Sequence, residues 1–356
     1  MNRRAQNALL VFLSLSLTGI ALELVVRFFH LAPPTPKVLY DASNRIVKFL
    51  PNQTGVISFG KRGQKQVKYR INNEGWNSAA DYDSTDTRPL IAVIGDSYIQ
   101  AMQVGVRESY PAVMQQKLGE KYRVYSFGFS GATLCQYVSM SRYVRKRFKP
   151  KVLILNLVHN DFDESLCHLK GNGMGFMCVD TATYQTRYLD FSAPKTLQSR
   201  SLHKILYSSA LARYLSIYGN VTKRRTSQIR YNQNTDPAKL KSVQREIGKV
   251  TEILLNAVKT ENPETPILLV MDGLRGDIYN NTLPVSDLAW LNDLVRQKAE
   301  AQKLTLIDLT TPFLADFRQH KRHFESETDF HWNEYGHRKV AEVILEKLVQ
   351  NGIVEK

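Results

Sequence analysis

Apolar residues gather in five short runs that alternate with longer stretches of helical spacing. The runs are continuous rather than alternating with polar residues, which is typical of strands buried on both faces of a sheet. Such an order of strands and helices predicts a doubly wound α/β domain around a parallel sheet. The strand runs are 90–95, 122–128, 152–158, 267–273 and 304–310, and the helical stretches lie near 108–119, 132–148, 238–259, 286–302 and 334–350.

A separate apolar segment comes before these elements. Residues 8–26 contain one charged side chain, Glu23, and approach the roughly 20 residues that a helix needs to cross a bilayer. Arg3 and Arg4 precede the segment, so the positive-inside tendency places the N-terminus in the cytoplasm and the rest of the chain outside. A cleaved signal peptide and a buried core helix are the alternatives. We favour an uncleaved signal anchor, because the run is longer than a usual signal-peptide core and lacks a clear cleavage site.

These patterns divide the chain into three parts. We expect residues 1–31 to form the membrane anchor and residues 32–88 to form a Pro-rich linker and a small β-rich annex. Residues 89–356 are expected to form the α/β domain. Its interval at about 162–236 is too long for one crossover, and we interpret it as an insertion beside the site. The apolar helix expected at 202–218 either packs on the core or serves as a lid or membrane-surface element.

The composition is that of a globular chain with a sizeable core. Of the 356 residues, 43% are hydrophobic and 10% aromatic, which excludes a wholly disordered, collagenous or low-complexity protein. The net charge of +15 suggests nucleic acid, anionic lipid or an acidic polymer as a neighbour. However, the basic runs at 142–151 and 223–230 lie apart and carry no recognised nucleic-acid-binding motif. We therefore expect no nucleic-acid partner, and an anionic envelope surface explains the charge more simply.

Three cysteines are too few for a disulfide scaffold. If the domain is outside the cytoplasm, Cys167 and Cys178 lie in an oxidising space. A local bridge between them is feasible, and the sequence leaves open whether it forms. We interpret Cys135, the third cysteine, as a small buried residue on a helix.

Polar residues follow three of the predicted strands at their carboxyl ends. Ser97 comes directly after Gly95 and Asp96, on a strand-to-helix turn where its hydroxyl can point into the crevice and its amide can face a ligand oxygen. Gly131 lies in a loop after the second strand that can offer an N–H donor. Asn160 follows the third strand, and its amide can donate to the same point. The alternative is that these residues only cap helices and close turns.

Among the eight histidines, His331 is the preferred general base. Asp329 lies two residues earlier in an expected loop, from which a carboxylate can fix the tautomer of the imidazole and stabilise its charged form. The competing explanation is a metal site formed by His323, Asp329, His331 and His337. This set has no established ligand spacing and no cysteine partner. We therefore expect neither a metal nor another cofactor.

Taken in order, these elements resemble the SGNH/GDSL hydrolase family over roughly residues 89–350. Residues 71–76, together with the anchor, resemble the membrane-anchored bacterial branch of that family. The matching residues are Gly95–Asp96–Ser97 for the nucleophile block, Gly131 and Asn160 for the oxyanion-binding residues, and Asp329 and His331 for the terminal acid and base.

Two positions depart from the family pattern. Val158 stands where the third block usually has glycine, two residues before Asn160. The acid lies two residues before His331, whereas the usual position three residues before it is held by Thr328. This shorter spacing is similar to that of alginate-type O-acetyltransferases. The family pattern therefore supports His331 as the base more strongly than Asp329 as the acid.

The resemblance implies a three-layer αβα, flavodoxin-like fold and a serine esterase that forms an acyl-Ser97 intermediate. The amides of Ser97 and Gly131 and the side chain of Asn160 would form the oxyanion hole. The expected substrate is an acylated small molecule or glycan with a short, acetyl-like group, at the periplasmic or cell-surface side of the membrane. Two alternatives stay open: an O-acyltransferase on a cell-envelope polysaccharide, and a non-catalytic membrane-tethered glycan binder.

Overall fold

The alternation of strands and helices that the sequence predicts is present in the structure, a computed structural model. It describes residues 2–60, 63–169, 177–188, 208–218, 236–326 and 329–355. The contacts divide the chain into two units. The first unit comprises Met1–Thr35, Gly55–Lys68 and Ser192–Ser227, and the second comprises Pro36–Thr54, Tyr69–Phe191 and Gln228–Lys356.

The strands fall into one larger sheet and four two-stranded pairs among the described residues. They are β1 (Val38–Asp41), β2 (Ile46–Phe49), β3 (Gln53–Phe59), β4 (Lys65–Ile71), β5 (Leu90–Gly95), β6 (Arg123–Gly128), β7 (Val152–Leu157), β8 (Met177–Asp180), β9 (Gln185–Tyr188), β10 (Ile267–Met271), β11 (Thr305–Asp308), β12 (Glu325–Ser326) and β13 (Asp329–Trp332).

The helices include long ones that cover the sheet and short ones at strand ends. They are α1 (Arg3–Phe28), α2 (Ser97–Gln100), α3 (Tyr110–Leu118), α4 (Leu134–Phe148), α5 (Asn160–Asp163), α6 (Ala210–Tyr218), α7 (Pro237–Ser242), α8 (Gln244–Glu261), α9 (Arg275–Asn280), α10 (Ala289–Ala301), α11 (Thr310–His320) and α12 (Glu334–Gln350), with 3₁₀ turns at Gly119–Lys121 and Leu283–Val285.

The larger sheet confirms the predicted fold. Its five strands are parallel and stand in the order β11-β10-β7-β5-β6. This is the flavodoxin-like order of a doubly wound sheet, in which the ligand crevice lies at the carboxyl ends of the strands. Every residue of β5, β6, β7 and β10 is buried, which explains their continuous apolar runs.

Helices cover both faces of this sheet. Because side chains alternate across a strand, Ile91 and Val93 of β5 share one face, where they belong to a cluster with Val113 of α3 and Ile344 of α12. Helix α4 contacts β5 and β7 and packs against α8, which in turn contacts α10. The three-layer αβα arrangement is therefore confirmed.

Three elements differ from the sequence prediction. The helix expected at 238–259 is interrupted at Val243, whose φ of −117° and ψ of 20° are not helical, so α7 and α8 are separate helices. The fifth strand of the sheet was predicted to end at residue 310 but ends at Asp308. Thr310 is instead the first residue of helix α11. The segment that carries His331 is a short strand rather than a loop, since it pairs with β12.

Helix α1 belongs to the first unit and is long and apolar enough to cross a membrane. Glu23, the charge within its apolar run, accepts hydrogen bonds from the Ser209 hydroxyl and from the amides of Ala210 and Leu211. These amides lie at the first turn of α6, where a helix lacks internal acceptors. Of the helix expected at 202–218, α6 is the described part, and residues 202–207 lie outside it.

The segment before β5 is β-rich, as predicted, and its last part contacts the sheet. Trp76 is fully buried and packs edge-on against Phe127 of β6, with ring centroids 5.4 Å apart. The side-chain amide of Asn77 donates to the carbonyl oxygen of Gln100, the last residue of α2. Residues 71–77 therefore support the helix that begins at Ser97.

The interval that we interpret as an insertion contains a disulfide. Cys167 and Cys178 are bonded, with Cα atoms 4.9 Å apart, and Cys178 lies in the hairpin formed by β8 and β9. Cys135 is buried in α4, as predicted. Residues 170–176, 189–207 and 219–235, which include the expected basic connector and its run at 223–230, lie outside the described residues.

Candidate active site

Ser97 is the first residue of α2, and Asp96 alone separates it from the end of strand β5. The Asp96 carboxylate caps this helix, because its Oδ1 accepts the Tyr98 amide at 2.9 Å. The Ser97 hydroxyl oxygen lies 3.2 Å from Oδ2 of the same carboxylate. Burial raises the pKa of Asp96, although the Tyr98 amide and the nearby His331 oppose the shift. Ser97, the predicted nucleophile, and Asp96, the helix cap, are thus neighbours in the same turn.

Two glycines make this turn tight. A Cβ carbon at Gly95 would overlap the side chain of Ile99, and one at Gly128 would overlap the backbone of Ile99 and Gln100. Helix α2 therefore lies directly against the ends of β5 and β6. Only glycine at these positions allows Ser97 to lie so close to the sheet.

His331 lies beside Ser97. Its Nε2 atom is 2.7 Å from the Ser97 hydroxyl oxygen, although the two residues are 234 positions apart in the chain. The imidazole ring also contacts the ring of Tyr98, with centroids 4.8 Å apart. The structure therefore brings together the predicted nucleophile and the predicted base.

Asp329, the predicted acid, is the first residue of β13, and its backbone is paired with Ser326. Its side chain lies outside the described part of the chain. The role of Asp329 therefore stays a prediction.

Gly131 and Asn160 follow the two strands that flank β5. Gly95 of β5 stands beside Gly128 of β6, and Ile94 stands beside Leu155 of β7. Gly131 has a φ of +79° and lies three residues after β6, while Asn160 is the buried first residue of α5, just after β7. The carboxyl ends of parallel strands share one edge of the sheet. All three strand ends predicted to carry the site therefore meet at this edge.

A buried carboxylate supports the loop that ends in Asn160. Oδ2 of Asp161 accepts the Val158 amide at 2.9 Å, and both its oxygens accept the Tyr137 hydroxyl at 3.1 Å. Burial, reinforced by the charge of Asp96, raises the pKa of Asp161 well above its usual value. Val158, where the family pattern has glycine, is thus held by a side chain from its own loop.

The sequence interpretation missed Arg275, a fully buried residue at the start of α9. Its guanidinium donates to Asp272, to Glu325, to the Tyr98 hydroxyl and to the carbonyl oxygen of Phe330. Burial alone would lower the pKa of Arg275, but Asp272, Tyr98 and Glu325 hold it well above its usual value. Arg275 follows β10 as Ser97 follows β5, and this position was the signal that could have identified it.

The histidines of the alternative metal site have other contacts. His337 is buried, and its Nδ1 accepts the amide of Tyr110 at 3.2 Å. His323 is paired with Glu325 and stacks on the ring of Tyr279. Among the residues that the structure describes, no group of three or more His, Cys, Asp or Glu side chains is arranged to hold a metal ion.

The family model of GDSL-like lipase/acylhydrolases matches residues 93–339, which is more than half of the chain. The chain belongs to the GDSL-like lipase/acylhydrolase family. The predicted family and the predicted class of enzyme, a hydrolase of ester bonds, are both confirmed by this match. A search among curated proteins gives no match.

Solved structures of similar fold include several esterases. A two-domain esterase active on acetylated mannans is 14% identical, with 74% of this chain and 49% of that chain covered and a TM-score of 0.40. A lipolytic protein of the G-D-S-L family from Veillonella parvula is 13% identical, with 72% and 96% covered and a TM-score of 0.39. Est24, a carbohydrate acetylesterase from Sinorhizobium meliloti, is 10% identical, with 74% and 99% covered and a TM-score of 0.37.

Proposed function

We propose that this hydrolase is a membrane-anchored serine esterase that removes short acyl groups from an extracytoplasmic glycan through an acyl-Ser97 intermediate. The observation that carries the proposal is the 2.7 Å contact between the Ser97 hydroxyl and Nε2 of His331. A hydroxyl within hydrogen-bond reach of an imidazole is the geometry of an activated nucleophile. Membership of the family supplies the reaction class, and the contact supplies the pair of residues.

In the first step the Ser97 oxygen attacks the ester carbonyl carbon while Nε2 of His331 takes the hydroxyl proton. The second ring nitrogen, Nδ1, must then carry a proton, and Asp329 would accept a hydrogen bond from it. The electron pair of the carbonyl moves onto its oxygen. The amides of Ser97 and Gly131 and the side chain of Asn160 would donate to that oxyanion.

The intermediate collapses when the bond to the leaving oxygen breaks. His331 returns the proton to this oxygen, so that an alcohol departs and the acyl group stays on Ser97. Water then attacks the acyl carbon, with His331 again as the base, and releases a carboxylic acid. Transfer to a second sugar would use the same residues and differs only in the attacking hydroxyl.

The proposed location rests on two observations. Helix α1 can span a membrane, and Arg3 and Arg4 at its start favour a cytoplasmic N-terminus. The bond between Cys167 and Cys178 suits an oxidising compartment, where disulfides persist. With this orientation, most of the +15 charge would face anionic lipids or polysaccharides.

The glycan and the short acyl group follow from the family resemblance and from this location, where acylated polysaccharides are accessible substrates. A fluorophosphonate label and a series of esters with acyl chains of increasing length test the proposal. We expect wild type to be labelled and to prefer the shortest esters, and Ser97→Ala to be inert. Ser141→Ala is the matched control, since Ser141 is buried in α4 and donates to Val138 of its own helix.

Equal labelling of wild type and Ser97→Ala, or labelling of neither, would contradict the mechanism. An acetylated oligosaccharide offered with a free acceptor separates hydrolysis from transfer, because free acetate is the expected product. The location is tested by reporters fused after Lys356. An alkaline phosphatase fusion, which needs an oxidising compartment, should be active, and activity of a cytoplasmic reporter instead would reverse the proposed orientation.

A further inference from the structure

The strand that carries His331 is short and irregular. β13 pairs with the two residues of β12, and the register shifts between Glu325 and Ser326. The ladder thus passes from the pair Ser326–Asp329 to the pair Glu325–Trp332. A regular ladder fixes a strand at each successive residue, so the backbone at His331 depends on other contacts.

Side chains bind the carbonyl groups on both sides of His331. The carbonyl oxygen of Phe330 accepts Nη1 of Arg275 at 3.0 Å and the Tyr98 hydroxyl at 3.3 Å. The carbonyl oxygen of Trp332 accepts Nε2 of Gln103 at 3.0 Å. The position of the imidazole is therefore fixed by groups that come from other parts of the chain.

Arg275 also connects this strand to the helix of Ser97. Its Nη2 atom donates to the Tyr98 hydroxyl at 2.7 Å, and Tyr98 is the residue after Ser97. A guanidinium presents its donors in a rigid planar fork, whereas the ammonium of lysine is a single point. One buried side chain thus sets the distance between the turn of Ser97 and the strand of His331.

Two carboxylates stabilise the buried cation. Nη2 of Arg275 is 3.1 Å from Asp272 Oδ2, and Nη1 is 3.0 Å from Glu325 Oε2. All three side chains are at most 3% exposed. The indole of Trp332 also donates to Asp272, at 3.1 Å, so the same cluster holds the residue after His331.

We infer that Arg275 is a positioning residue that places His331 against Ser97. The inference rests on the proposed function, in which these two residues react. A displacement of about 1 Å in a reacting group can lower a rate roughly 100-fold. Loss of the fork should therefore reduce turnover and leave substrate binding nearly unchanged.

The test uses two mild variants of the full chain. Arg275→Lys keeps a cation beside Asp272 and Glu325, and Tyr98→Phe keeps the whole ion cluster but removes the hydroxyl that links Arg275 to Phe330. We expect each to lower kcat about 10-fold or more, with KM within about twofold of wild type. Arg275→Lys should be the slower of the two, because it loses more contacts.

Arg123→Lys is the matched control. Arg123 is also buried, and its guanidinium donates to the carbonyl oxygens of Arg88 and Asp83. It is the first residue of β6 and therefore lies at the amino-terminal ends of the strands, whereas the site lies at their carboxyl ends. This variant should lose stability to a similar extent while kcat stays within about twofold of wild type.

Crystal structures of the two variants give a readout that needs no turnover. The distance from Ser97 Oγ to His331 Nε2 should increase beyond the 2.7 Å found here. An unchanged distance, an unchanged kcat, or an equal loss of kcat in Arg123→Lys would overturn the inference. Failure of the proposed function is recognised separately, because wild type would then not react with the fluorophosphonate although the distances could still be compared.

Discussion

Gly128 and Gln100 approach each other so closely that a Cβ carbon at position 128 would lie less than 3.0 Å from the Gln100 amide nitrogen. The atoms that this Cβ would meet belong to the backbone of Ile99 and Gln100. They cannot move aside as the end of a flexible side chain would. We expect Gly128→Ala to lower the free energy of unfolding by about 2–4 kcal/mol. Because α2 must shift, labelling of Ser97 should also slow. Denaturant unfolding and fluorophosphonate labelling measure the two effects.

Gly248→Ala is the control for this substitution. Gly248 lies inside α8, and a Cβ there would meet Leu294 at 3.5 Å, an ordinary contact. We expect it to stabilise the protein by about 0.5–1 kcal/mol, since alanine is the better helix former. Equal destabilisation by both substitutions would contradict the close approach at position 128.

Asn160→Ala should leave the fold intact and reduce the rate. Removal of one oxyanion donor typically costs about 3 kcal/mol in the transition state, which is roughly 100-fold in kcat. Steady-state kinetics on a short ester would measure it. Asn262→Ala is the control, because Asn262 is equally buried but donates to Val258 at the end of α8. If the two variants were equally active, Asn160 would have no part in the oxyanion hole.

Asp161→Asn should change how stability depends on pH. The raised pKa of Asp161 means that the folded protein keeps a proton that the unfolded chain loses above about pH 4. Stability of wild type therefore falls as pH rises from about 4 towards the raised pKa, and the asparagine variant lacks this contribution. In guanidinium unfolding between pH 4 and 8, the stability of the variant relative to wild type should increase as the pH rises. A variant curve that runs parallel to that of wild type over this pH range would contradict the raised pKa of Asp161.

Loss of the disulfide should destabilise the second unit. Cys167 and Cys178 are separated by 11 positions, and closing a loop of that size is worth about 3 kcal/mol. The double variant Cys167→Ser/Cys178→Ser should therefore unfold at lower denaturant concentration than oxidised wild type. A reductant should lower the stability of wild type to that of the variant and leave the variant unchanged. If the reductant lowered the stability of wild type and of the double variant equally, the effect would not come from this disulfide.

The sheet could be predicted because its chemistry is local. Strands such as β5 and β7 are buried on both faces, and a strand in this position requires apolar residues at nearly every position. Ser97, Gly131 and Asn160 could be proposed as site residues by the same logic, since each lies within three residues of the end of such a strand. Their meeting at one edge follows from the parallel topology.

The support of His331 could not be predicted, since it depends on residues far apart in the chain. The position of Arg275 after β10 marks it as a candidate site residue, but its contacts with Asp272, Glu325 and Tyr98 are not evident from the sequence. β13 is four residues long and its partner β12 only two, which is too little to produce a periodic pattern. The boundary at residue 88 and the acid Asp329 stay predictions.

The separation of 234 positions between Ser97 and His331 determines when the proposed catalytic pair can form. During synthesis the first half of the chain leaves the ribosome with Ser97 but without His331. The pair arises only when β13 packs against α2, and contacts between residues so far apart in the chain form late. In the proposed mechanism, a chain that ends before His331 would therefore be inactive, and hydrolysis could begin only after β13 has folded against α2.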